Sequence, residues 1–394
     1  MDEKIHLQVV DKILLEIAED AKQRRSNHSL VHPYDAMELI KKNRLGALQL
    51  PAQKGGKGYN LRQLFRFVAQ LAEADSDVAH ILRAHYSYVE QLLRENIDGR
   101  HTALLAQIAD GVIIGNAVTE NSPHQAGSLV FNTKLTADGQ DYRLNGIKYF
   151  STGTLYADLV VVTTLDVNAE PIAVIIPTDR IGITIEDDWD GIGQELTGSG
   201  TTKFQNVKVH RNELFKKLKG KTPFNAFPQL YLQAVIVGIL NSIVGDSATL
   251  IQSRKRTFSF AAAQLPRQDP QLLQIIGELS SIVFAAQSML LAAADVLDEA
   301  SSHAEQGNIP YDLSHQASLV VAQTKVIIDE LALRAATKLF DVGGASATRK
   351  SAFLDRHWRN IRTLVSHNPA VYKARAIGDF VVNNKQLPIN EVYF

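Results

Sequence analysis

The sequence predicts an α+β protein with helices at both ends of the chain and β structure between them. Apolar residues recur at the three-and-four spacing of helices up to about residue 112, and again from about residue 225. Residues 113–215 instead alternate apolar and polar residues, and no long helical pattern interrupts them. We therefore expect an N-terminal helical domain (1–112), a middle antiparallel β-barrel or sandwich (113–215) and a C-terminal four-helix bundle (216–394).

Size and composition narrow the class of protein further. The chain has 394 residues, which favours two or three domains, and its formal net charge of −1 gives no basic field for nucleic acid. The absence of cysteine excludes disulfides, thiolate metal sites and cysteine nucleophiles. We see no secretory signal and no uncharged apolar segment of membrane-spanning length. We therefore expect a cytoplasmic protein without a nucleic-acid, membrane or metal partner.

A long helical pattern at residues 61–96 carries the first candidate for chemistry, His85. This histidine shares a face with Leu71, Val78, Leu82, Val89 and Leu92, so it should point into the protein or into a cleft. A hydrogen-bonded core histidine and a functional one both remain open. His80 is five positions earlier and lies on another face, so we expect no metal pair. A helix break at residues 75–77 is possible, because Asp and Ser favour helix caps.

The middle part contains strand candidates separated by turn signals, with a hairpin predicted at Asp138-Gly139. The candidates are 113–119, 128–137, 141–150, 159–164, 172–176 and 201–210.

Three polar stretches of this β domain are suited to a flat ligand. The first is the strand end at 115–122, and the second places Ser151, Thr152 and a glycine after Phe150. The third has Trp189 in a glycine-rich loop, where an aromatic ring can cover a planar ligand or cap the β core. Each stretch alone is also compatible with an ordinary turn.

The last part predicts long helices at 230–260, 270–303 and 313–341 and a shorter one at 352–362. Arg254 and Arg256 near the end of the first helix suit its negative end or a phosphate. Gly343-Gly344 ends the third helix and allows either a plain C-cap or close approach of a phosphate. His367 follows the shorter helix and precedes Asn368-Pro369. No nucleotide-binding glycine motif of the Rossmann or Walker type and no G-x-S-x-G elbow is present in a suitable context.

The order of these pieces resembles the acyl-CoA dehydrogenase fold. The segments that carry the resemblance are Leu48–Pro51 with Gly55-Gly56, Asn116–Ser128, Lys148–Gly153 with Ala157-Asp158, Arg254–Phe258 and Gly343-Gly344. Those dehydrogenases use a glutamate near the end of the bundle to remove an α-proton. The corresponding stretch here, Leu364–Pro369, contains no carboxylate.

The chain is instead similar to flavin-dependent monooxygenases built on this fold, especially the dibenzothiophene monooxygenase group. The shared segments are Ala74–Ser76 with Ala84-His85, Gly115–Ala117 with Glu120-Asn121, Asp188–Asp190 with Ile192-Gly193, Asp355–Asn360 and Ser366–Pro369. The resemblance implies reduced FMN delivered by a separate NAD(P)H-dependent flavin reductase. It also implies O2 addition at flavin C4a, hydroperoxide oxygenation of a small hydrophobic organosulfur or related heteroatom substrate, and a homotetramer.

The same resemblance implies roles for individual residues. His85 and His367 would face the flavin, and one of them would help to protonate the peroxide. Thr152, with Ser151 beside it, would lie near flavin N5. The remaining cofactor contacts would come from Asn121, Ser128, Phe150, Trp189, Arg254 or Arg256, and Gly343 with Gly344.

Two alternatives remain open at this point. One is an acyl-CoA dehydrogenase or oxidase with bound FAD and a displaced base, and the other is a non-catalytic flavin-binding or assembly protein.

Overall fold

The computed structural model describes residues 3–26, 31–121, 131–215, 222–392 and 394. Its α-helices are α1 (Glu3–Ser26), α2 (Tyr34–Lys42), α3 (Leu61–Ala74), α4 (Ser76–Ile81), α5 (Arg83–Glu95), α6 (Thr102–Ala109), α7 (Ala226–Ser253), α8 (Pro270–Ser302), α9 (Tyr311–Gly343), α10 (Asp355–Ser366) and α11 (Ala370–Asn383). Its strands are β1 (Ile114–Ala117), β2 (Lys134–Asp138), β3 (Asp141–Lys148), β4 (Leu159–Leu165), β5 (Pro171–Pro177), β6 (Ile183–Ile185), β7 (Thr202–Val209) and β8 (Leu214–Phe215).

The long helical pattern at 61–96 is divided into α3, α4 and α5, and Asp75 forms the first break. Its side chain accepts hydrogen bonds from the backbone amides of Asp77 and Val78, at 2.8 and 3.2 Å. This is an N-cap, which confirms the predicted cap residue. Arg24 of α1 forms a buried ion pair with the same carboxylate, so the break is tied to the first helix.

The middle strands form one sheet in the order β6-β7-β3-β2-β4-β5-β8, with β1 paired to β4. The predicted hairpin is present, because β2 and β3 pair around Asp138 and Asp141 and Gly139 has a φ of +63°. The expectation of a purely antiparallel sheet is wrong, since β1 runs parallel to β4 from Ile114 opposite Leu159 onward. The β2–β3 hairpin lies between them in sequence and returns the chain in the same direction.

The C-terminal helices pack around α7, whose residues are buried on nearly every side where it meets α3, α8 and α9. This all-round burial is expected of a helix whose apolar residues are distributed over all of its faces. Helix α11 was not predicted. It packs against α9 and helps to cover a small apolar cluster that contains Leu387 and Phe394.

Helices α7 and α8 are long and apolar enough to cross a membrane by length and composition alone, contrary to the sequence expectation. The apolar window of α7 is 56% buried inside the protein, and that of α8 is 28% buried. One or two such helices are weak evidence for a membrane span, because a central helix of a folded bundle passes the same test.

Candidate functional site

The first part of the site is the edge of the β domain, where two strand ends meet. The backbone amide of Tyr149 donates to the carbonyl of Thr119 at 2.9 Å, which joins the segments after β3 and β1. Phe150 follows with a φ of +55° and a ring that is 57% exposed. Trp189 lies edge-on to it, with ring centroids 5.9 Å apart and an angle of 82°. Asn121 is exposed in the strand-end segment, whereas Ser128 lies outside the described residues.

The loop that carries Trp189 is shaped by glycine and by one carboxylate. A Cβ atom on Gly191 would lie 1.9 Å from the indole ring, so the ring packs directly on this backbone. Asp188 accepts hydrogen bonds from the amide and the hydroxyl of Thr201, both at 2.7 Å. The indole nitrogen donates to the carbonyl of Gly193 at 3.2 Å. The aromatic ring is therefore held in one position before any ligand binds.

A chain of hydroxyl groups leads away from Thr152 and has a defined direction. The Thr197 hydroxyl donates to the carbonyl of Gln194 at 2.9 Å, because a carbonyl can only accept. Ser199 must then donate to Thr197 at 2.7 Å, and Thr152 must donate to Ser199 at 2.8 Å. Each hydroxyl has one proton, so Thr152 Oγ1 can only accept a hydrogen bond from a ligand.

Ser151 has a different position from its neighbour. Its backbone amide donates to the carbonyl of Gly200 at 3.0 Å, and the residue is 1% exposed. Its hydroxyl is buried and has no partner among the described residues. The geometry therefore gives no support to the predicted catalytic contact by Ser151, while Thr152 keeps accessible surface.

His85 of α5 is completely buried against the turn after α2 that contains Gly46 and against the start of β1. Its Nε2 lies 2.9 Å from the carbonyl of Gly46, and its Nδ1 lies 3.1 Å from the amide nitrogen of Ile114. Nε2 must therefore carry the proton, and Nδ1 must accept. Burial lowers the pKa of His85 to about 4. These contacts support the alternative of a core histidine and argue against the predicted proton transfer, because both ring nitrogens are already occupied.

His367 occupies the turn between α10 and α11 and has an exposed face. Its Nε2 lies 3.2 Å from a guanidinium nitrogen of Arg83, which also donates through Nε to the carbonyl of Pro228 at 3.1 Å. Many protein atoms surround the rest of the ring. This partial removal from water, together with the positive charge of Arg83, lowers the pKa of His367 well below its usual range. His367 is therefore neutral at pH 7 and can exchange hydrogen bonds with a ligand.

His80 was not predicted to be functional, yet it belongs to a buried hydrogen-bonded group that joins α4, the loop after Trp189 and α10. Its Nδ1 lies 3.0 Å from Oε1 of Gln194, and burial lowers its pKa to about 3. The backbone amide of Gln194 also donates a hydrogen bond to Oδ1 of Asn360 at 2.8 Å. Both amide side chains donate to the Ser76 hydroxyl, at 3.3 and 3.0 Å. These four residues come from all three predicted domains.

The basic side chains Arg356, His357 and Arg359 of α10 contact carboxylates of neighbouring elements and so do not form a free cationic surface. Arg356 and His357 both contact Asp246 of α7, at 2.6 and 2.8 Å. Arg359 forms an ion pair with Glu195, in the loop that follows Trp189. Helix α10 is thereby fixed to the bundle and to the middle domain, which positions His367 at its end.

The residues predicted to bind the flavin phosphate lie together at the C-terminal ends of α7 and α9. A guanidinium nitrogen of Arg254 donates to the carbonyl of Val342 at 2.7 Å, next to Gly343 and Gly344. Gly344 has a φ of +55°, and open space surrounds the position of a Cβ atom. Arg256 is exposed. The structure thus brings Arg254 and the glycine pair together, and among the described residues no hydrogen bond or ion pair links them to Thr152 or Trp189.

Sequence reasoning missed Arg83 as a contact of His367, and it missed the buried pair of His80 and Gln194. The available signal was weak: His80 and Arg83 are three positions apart, which places them on one helical face. Gln194 carries no recognisable signal, because its role depends on a φ of +54° within an irregular loop. The described residues contain no group of three or more metal-ligating side chains suited to a metal ion.

Comparison with known proteins agrees with this fold. Residues 115–207 match the acyl-CoA dehydrogenase middle domain, and residues 230–371 match the acyl-CoA dehydrogenase C-terminal domain. The predicted fold class is therefore confirmed.

Individual relatives define the class more closely. The dibenzothiophene monooxygenase of Mycolicibacterium goodii is 28% identical over 370 residues, which cover 88% of this chain and 87% of the relative. The Pseudomonas putida protein named "Probable FMNH2-dependent monooxygenase SfnC" is 27% identical over 364 residues, covering 90% and 89%. The structure of methanesulfinate monooxygenase MsuC from Pseudomonas fluorescens superposes with a TM-score of 0.87 at 26% identity, covering 98% of this chain and 99% of that one.

The matched domains and these relatives together identify the class of enzyme. The chain belongs to the flavin monooxygenases that are built on the acyl-CoA dehydrogenase fold. The resemblance predicted from the sequence is confirmed, and the monooxygenase reading is supported over the dehydrogenase alternative.

Proposed function

We propose that the protein is a two-component monooxygenase that uses reduced FMN and O2 to oxygenate a small organosulfur compound. When bound, reduced FMN supplies the two electrons with which one oxygen atom enters the substrate and the other leaves as water. The relatives named above are described as acting on dibenzothiophene and methanesulfinate or as FMNH2-dependent, and these names support the reaction class and the choice of FMN over FAD.

The observation that carries the proposal is the group at the α10–α11 turn. An acyl-CoA dehydrogenase needs a carboxylate base there, and this chain has His367 beside the Arg83 guanidinium. The depressed pKa of His367 makes it a weak base, which is unsuited to removing an α-proton from a thioester. A neutral imidazole is well suited to hydrogen bonding with an oxygen atom near the flavin.

The β-domain edge fits a reduced flavin ring. Phe150 and Trp189 offer aromatic surface for a planar heterocycle. Thr152 presents an acceptor, and reduced flavin carries a proton on N5 that can be donated to it. In our proposal Asn121 and Ser128 also contact the cofactor from the strand-end segment.

The phosphate of FMN is assigned to Arg254 and the Gly343-Gly344 turn, with Arg256 as the alternative arginine. Guanidinium groups bind phosphate through charge-assisted hydrogen bonds, and a glycine turn allows close approach. Within the part of the chain that the structure describes, no hydrogen bond, ion pair or ring contact joins these residues to the aromatic pair. We therefore propose that the turn serves the flavin of a neighbouring subunit.

A homotetramer is part of the proposal. Phe258 and Phe260, which follow α7, stack on each other while 66% and 87% exposed. Phe284 of α8 and Val382 of α11 are also largely exposed, and apolar surface of this kind is typical of subunit interfaces.

The proposal further includes an NAD(P)H-dependent flavin reductase as the source of reduced FMN, and a cytoplasmic location.

The test is a turnover experiment with the purified protein. Reduced FMN is generated by an unrelated flavin reductase with NADH, and organosulfur compounds are supplied with O2. We expect oxygenated product at a yield near one per reduced FMN consumed, with little hydrogen peroxide. The reaction should not require contact with a particular reductase.

The opposing outcome is specific. Tight copurification of FAD that is reduced by an acyl-CoA without NADH would contradict the proposal and establish the dehydrogenase alternative.

A Thr152→Val variant should retain the fold and lose coupling of flavin oxidation to product formation by about tenfold, about 1.4 kcal/mol. Thr337→Val, at an exposed position of α9, serves as the matched control.

A further inference from the structure

A buried ion pair lies behind the edge of the β domain that carries the candidate flavin residues. Lys148 is the last residue of β3, and Glu120 immediately precedes Asn121. The Nζ atom of Lys148 lies 2.7 Å from Oε1 of Glu120, and the two side chains are 0% and 6% exposed. A buried ion pair often adds little net stability, because both charges lose their hydration. The pair therefore requires an explanation beyond packing.

The ammonium group of Lys148 has a complete set of hydrogen-bond acceptors. It donates to Glu120, to the carbonyl of Val118 at 3.2 Å and to the hydroxyl of Thr163 at 3.2 Å. An ammonium has three protons, so each proton has an acceptor. The Nζ atom also lies 4.4 Å from the centroid of the Phe131 ring. The lysine is thus held in one position by several elements of the β domain.

Glu120 makes further contacts beside the lysine. Its Oε2 accepts a hydrogen bond from the backbone amide of Asn132 at 2.6 Å, and its Oε1 accepts one from the amide of Thr133 at 3.0 Å. Burial acts to raise the pKa of Glu120, but the hydrogen bonds from Lys148 and from these two residues lower it to about 2. The carboxylate is therefore ionised at neutral pH and connects the segments after β1, before β2 and at the end of β3.

The ends of β1 and β3 need such a connection, because the two strands are not neighbours in the sheet. Strands β2 and β4 lie between them in the strand order. Beyond the strands, the bridge between Thr119 and Tyr149 joins the two ends through a backbone hydrogen bond of 2.9 Å. Glu120 and Lys148 occupy the facing positions next to this bridge, so their side chains lie on the same face.

The neighbouring residues point in the other direction. Successive side chains along an extended chain alternate between two faces, so Asn121 and Tyr149 point away from the buried pair. In agreement, Asn121 is exposed and Tyr149 is half-buried. Phe150 follows Tyr149 and has an exposed ring. The ion pair thus lies behind the backbone that carries two of the residues assigned to the flavin ring.

We propose that Glu120 and Lys148 are positioning residues for the flavin. Their ion pair fixes the two strand ends from the inside, so that Asn121 and Phe150 keep fixed positions on the outside. The inference rests on the proposed function, and neither member of the pair is assigned a contact with the cofactor. Coupled oxygenation requires one geometry of flavin and substrate. A preformed site for the ring also reduces the entropy that is lost when FMN binds.

Substitution of Lys148 provides the first test. Lys148→Met keeps a long side chain and removes the ammonium group. Anaerobic titration of the full-length protein with reduced FMN should give a Kd about tenfold higher than that of the unaltered protein. In turnover with an unrelated flavin reductase, the product yield per reduced FMN should fall and hydrogen peroxide should rise. An unchanged Kd for reduced FMN in a folded Lys148→Met variant would overturn the inference.

Arg143→Met is the matched control. Arg143 lies near the other end of the same strand and forms a partly exposed ion pair with Asp138 at 2.6 Å. Its substitution removes an ion pair of β3 and leaves the strand ends intact, so the Kd for reduced FMN should stay within about threefold. If Arg143→Met weakens FMN binding as much as Lys148→Met does, the effect is general to the strand and the inference is wrong.

A double variant separates positioning from stability. Lys148→Met alone leaves the carboxylate of Glu120 buried without its cation, which destabilises the fold. Lys148→Met/Glu120→Gln removes both charges, and the glutamine oxygen can still accept from the two backbone amides. The Val118 carbonyl keeps the hydroxyl of Thr163 as a donor at 3.0 Å. We expect the urea midpoint to recover most of its loss, while the Kd for reduced FMN remains about tenfold raised.

The double variant decides between the two roles. Recovery of FMN affinity together with stability is the behaviour of a purely structural pair and would overturn the inference. If Lys148→Met does not fold, the FMN affinity of the double variant decides alone. Failure of both variants to fold would assign the pair to stability and also overturn the inference.

The inference and the proposed function fail in different ways. If the unaltered protein oxygenates organosulfur compounds and Lys148→Met binds reduced FMN equally well, the inference is wrong and the monooxygenase function stands. If Lys148→Met and the double variant weaken FMN binding but the unaltered protein oxygenates no organosulfur compound, the positioning role stands and the proposed function is wrong. Absence of FMN binding by the unaltered protein would overturn both.

Discussion

His85 and His367 lie in opposite surroundings, although both occupy helical parts of the chain that meet the middle domain. His85 has no exposed surface, and backbone groups at Gly46 and Ile114 occupy both of its ring nitrogens. His367 has an exposed face and lies against a charged side chain, Arg83. The difference teaches that position on an apolar helical face indicates burial, whereas a functional role requires side-chain surface that a ligand can reach.

Replacement of His367 should have the largest effect. In His367→Ala we expect coupled oxygenation to fall by about 10³-fold, about 4 kcal/mol, because the variant lacks the imidazole that we propose to face the flavin. FMN affinity should stay within about tenfold, or 1.4 kcal/mol, since we assign the phosphate and ring contacts to other residues. Product yield and hydrogen peroxide release measure the first effect, and anaerobic titration measures the second.

The control is His303→Ala, which removes an exposed histidine at the end of α8. Unchanged product formation in His367→Ala would remove the assigned role.

Replacement of His85 should act on stability. His85→Ala leaves a buried cavity, the amide of Ile114 and the carbonyl of Gly46 without partners, which together destabilise by about 3 kcal/mol. Denaturant unfolding followed by circular dichroism provides the measurement. Activity per folded molecule should remain within about threefold, so a fall comparable to that of His367→Ala would make the two histidines functionally alike.

Gly46 offers a second way to disturb only the buried histidine. A Cβ atom at this position would lie 2.6 Å from Nε2 of His85 and 2.9 Å from Ile113. Gly46→Ala should therefore destabilise by about 2 kcal/mol through overpacking. Gly245→Ala on α7, where a Cβ atom meets nothing within 4 Å, is the matched control. Loss of coupling without loss of stability in Gly46→Ala would contradict this account.

The acid dependence of stability should also report on the burial of His85. The pKa of His85 is lowered to about 4 in the folded protein, against about 6.5 in the unfolded chain. The contribution of neutral His85 to the free energy of unfolding is therefore complete above about pH 6.5 and is lost as pH falls towards 4. Between these two pH values the unfolded state binds one more proton than the folded state. The free energy of unfolding therefore rises with pH by about 1.4 kcal/mol per pH unit.

His85→Gln should reduce the measured slope by about that amount, and His303→Ala should not. An identical slope in His85→Gln and the unaltered protein would show that His85 does not titrate as proposed.

Much of the fold was predictable because periodicity and cap chemistry are local. Asp75 was expected to cap a helix and does so, and Asp138-Gly139 was expected to form a hairpin and does so. The parallel pairing of β1 with β4 was not predictable in this way. It depends on contacts between residues such as Ile114 and Leu159, which are distant in sequence.

The site was less predictable than the fold. Residue type and order identified Thr152, Phe150 and Trp189 as candidates, and the structure brings Phe150 and Trp189 together. The availability of a side chain is set by tertiary packing, which no local pattern records. Ser151 and His85 are the examples, since both lie in the expected segments and both are buried.

Gln194 has a consequence for how the protein acquires activity. Its hydrogen bonds reach His80, Ser76 and Asn360, which are 114, 118 and 166 positions away along the chain. Contacts over such distances form slowly, because long loops must close first. The three regions of the newly made chain must therefore dock before the surroundings of His367 are complete. A partly assembled molecule can have all of its helices and still be unable to use the reduced flavin it meets.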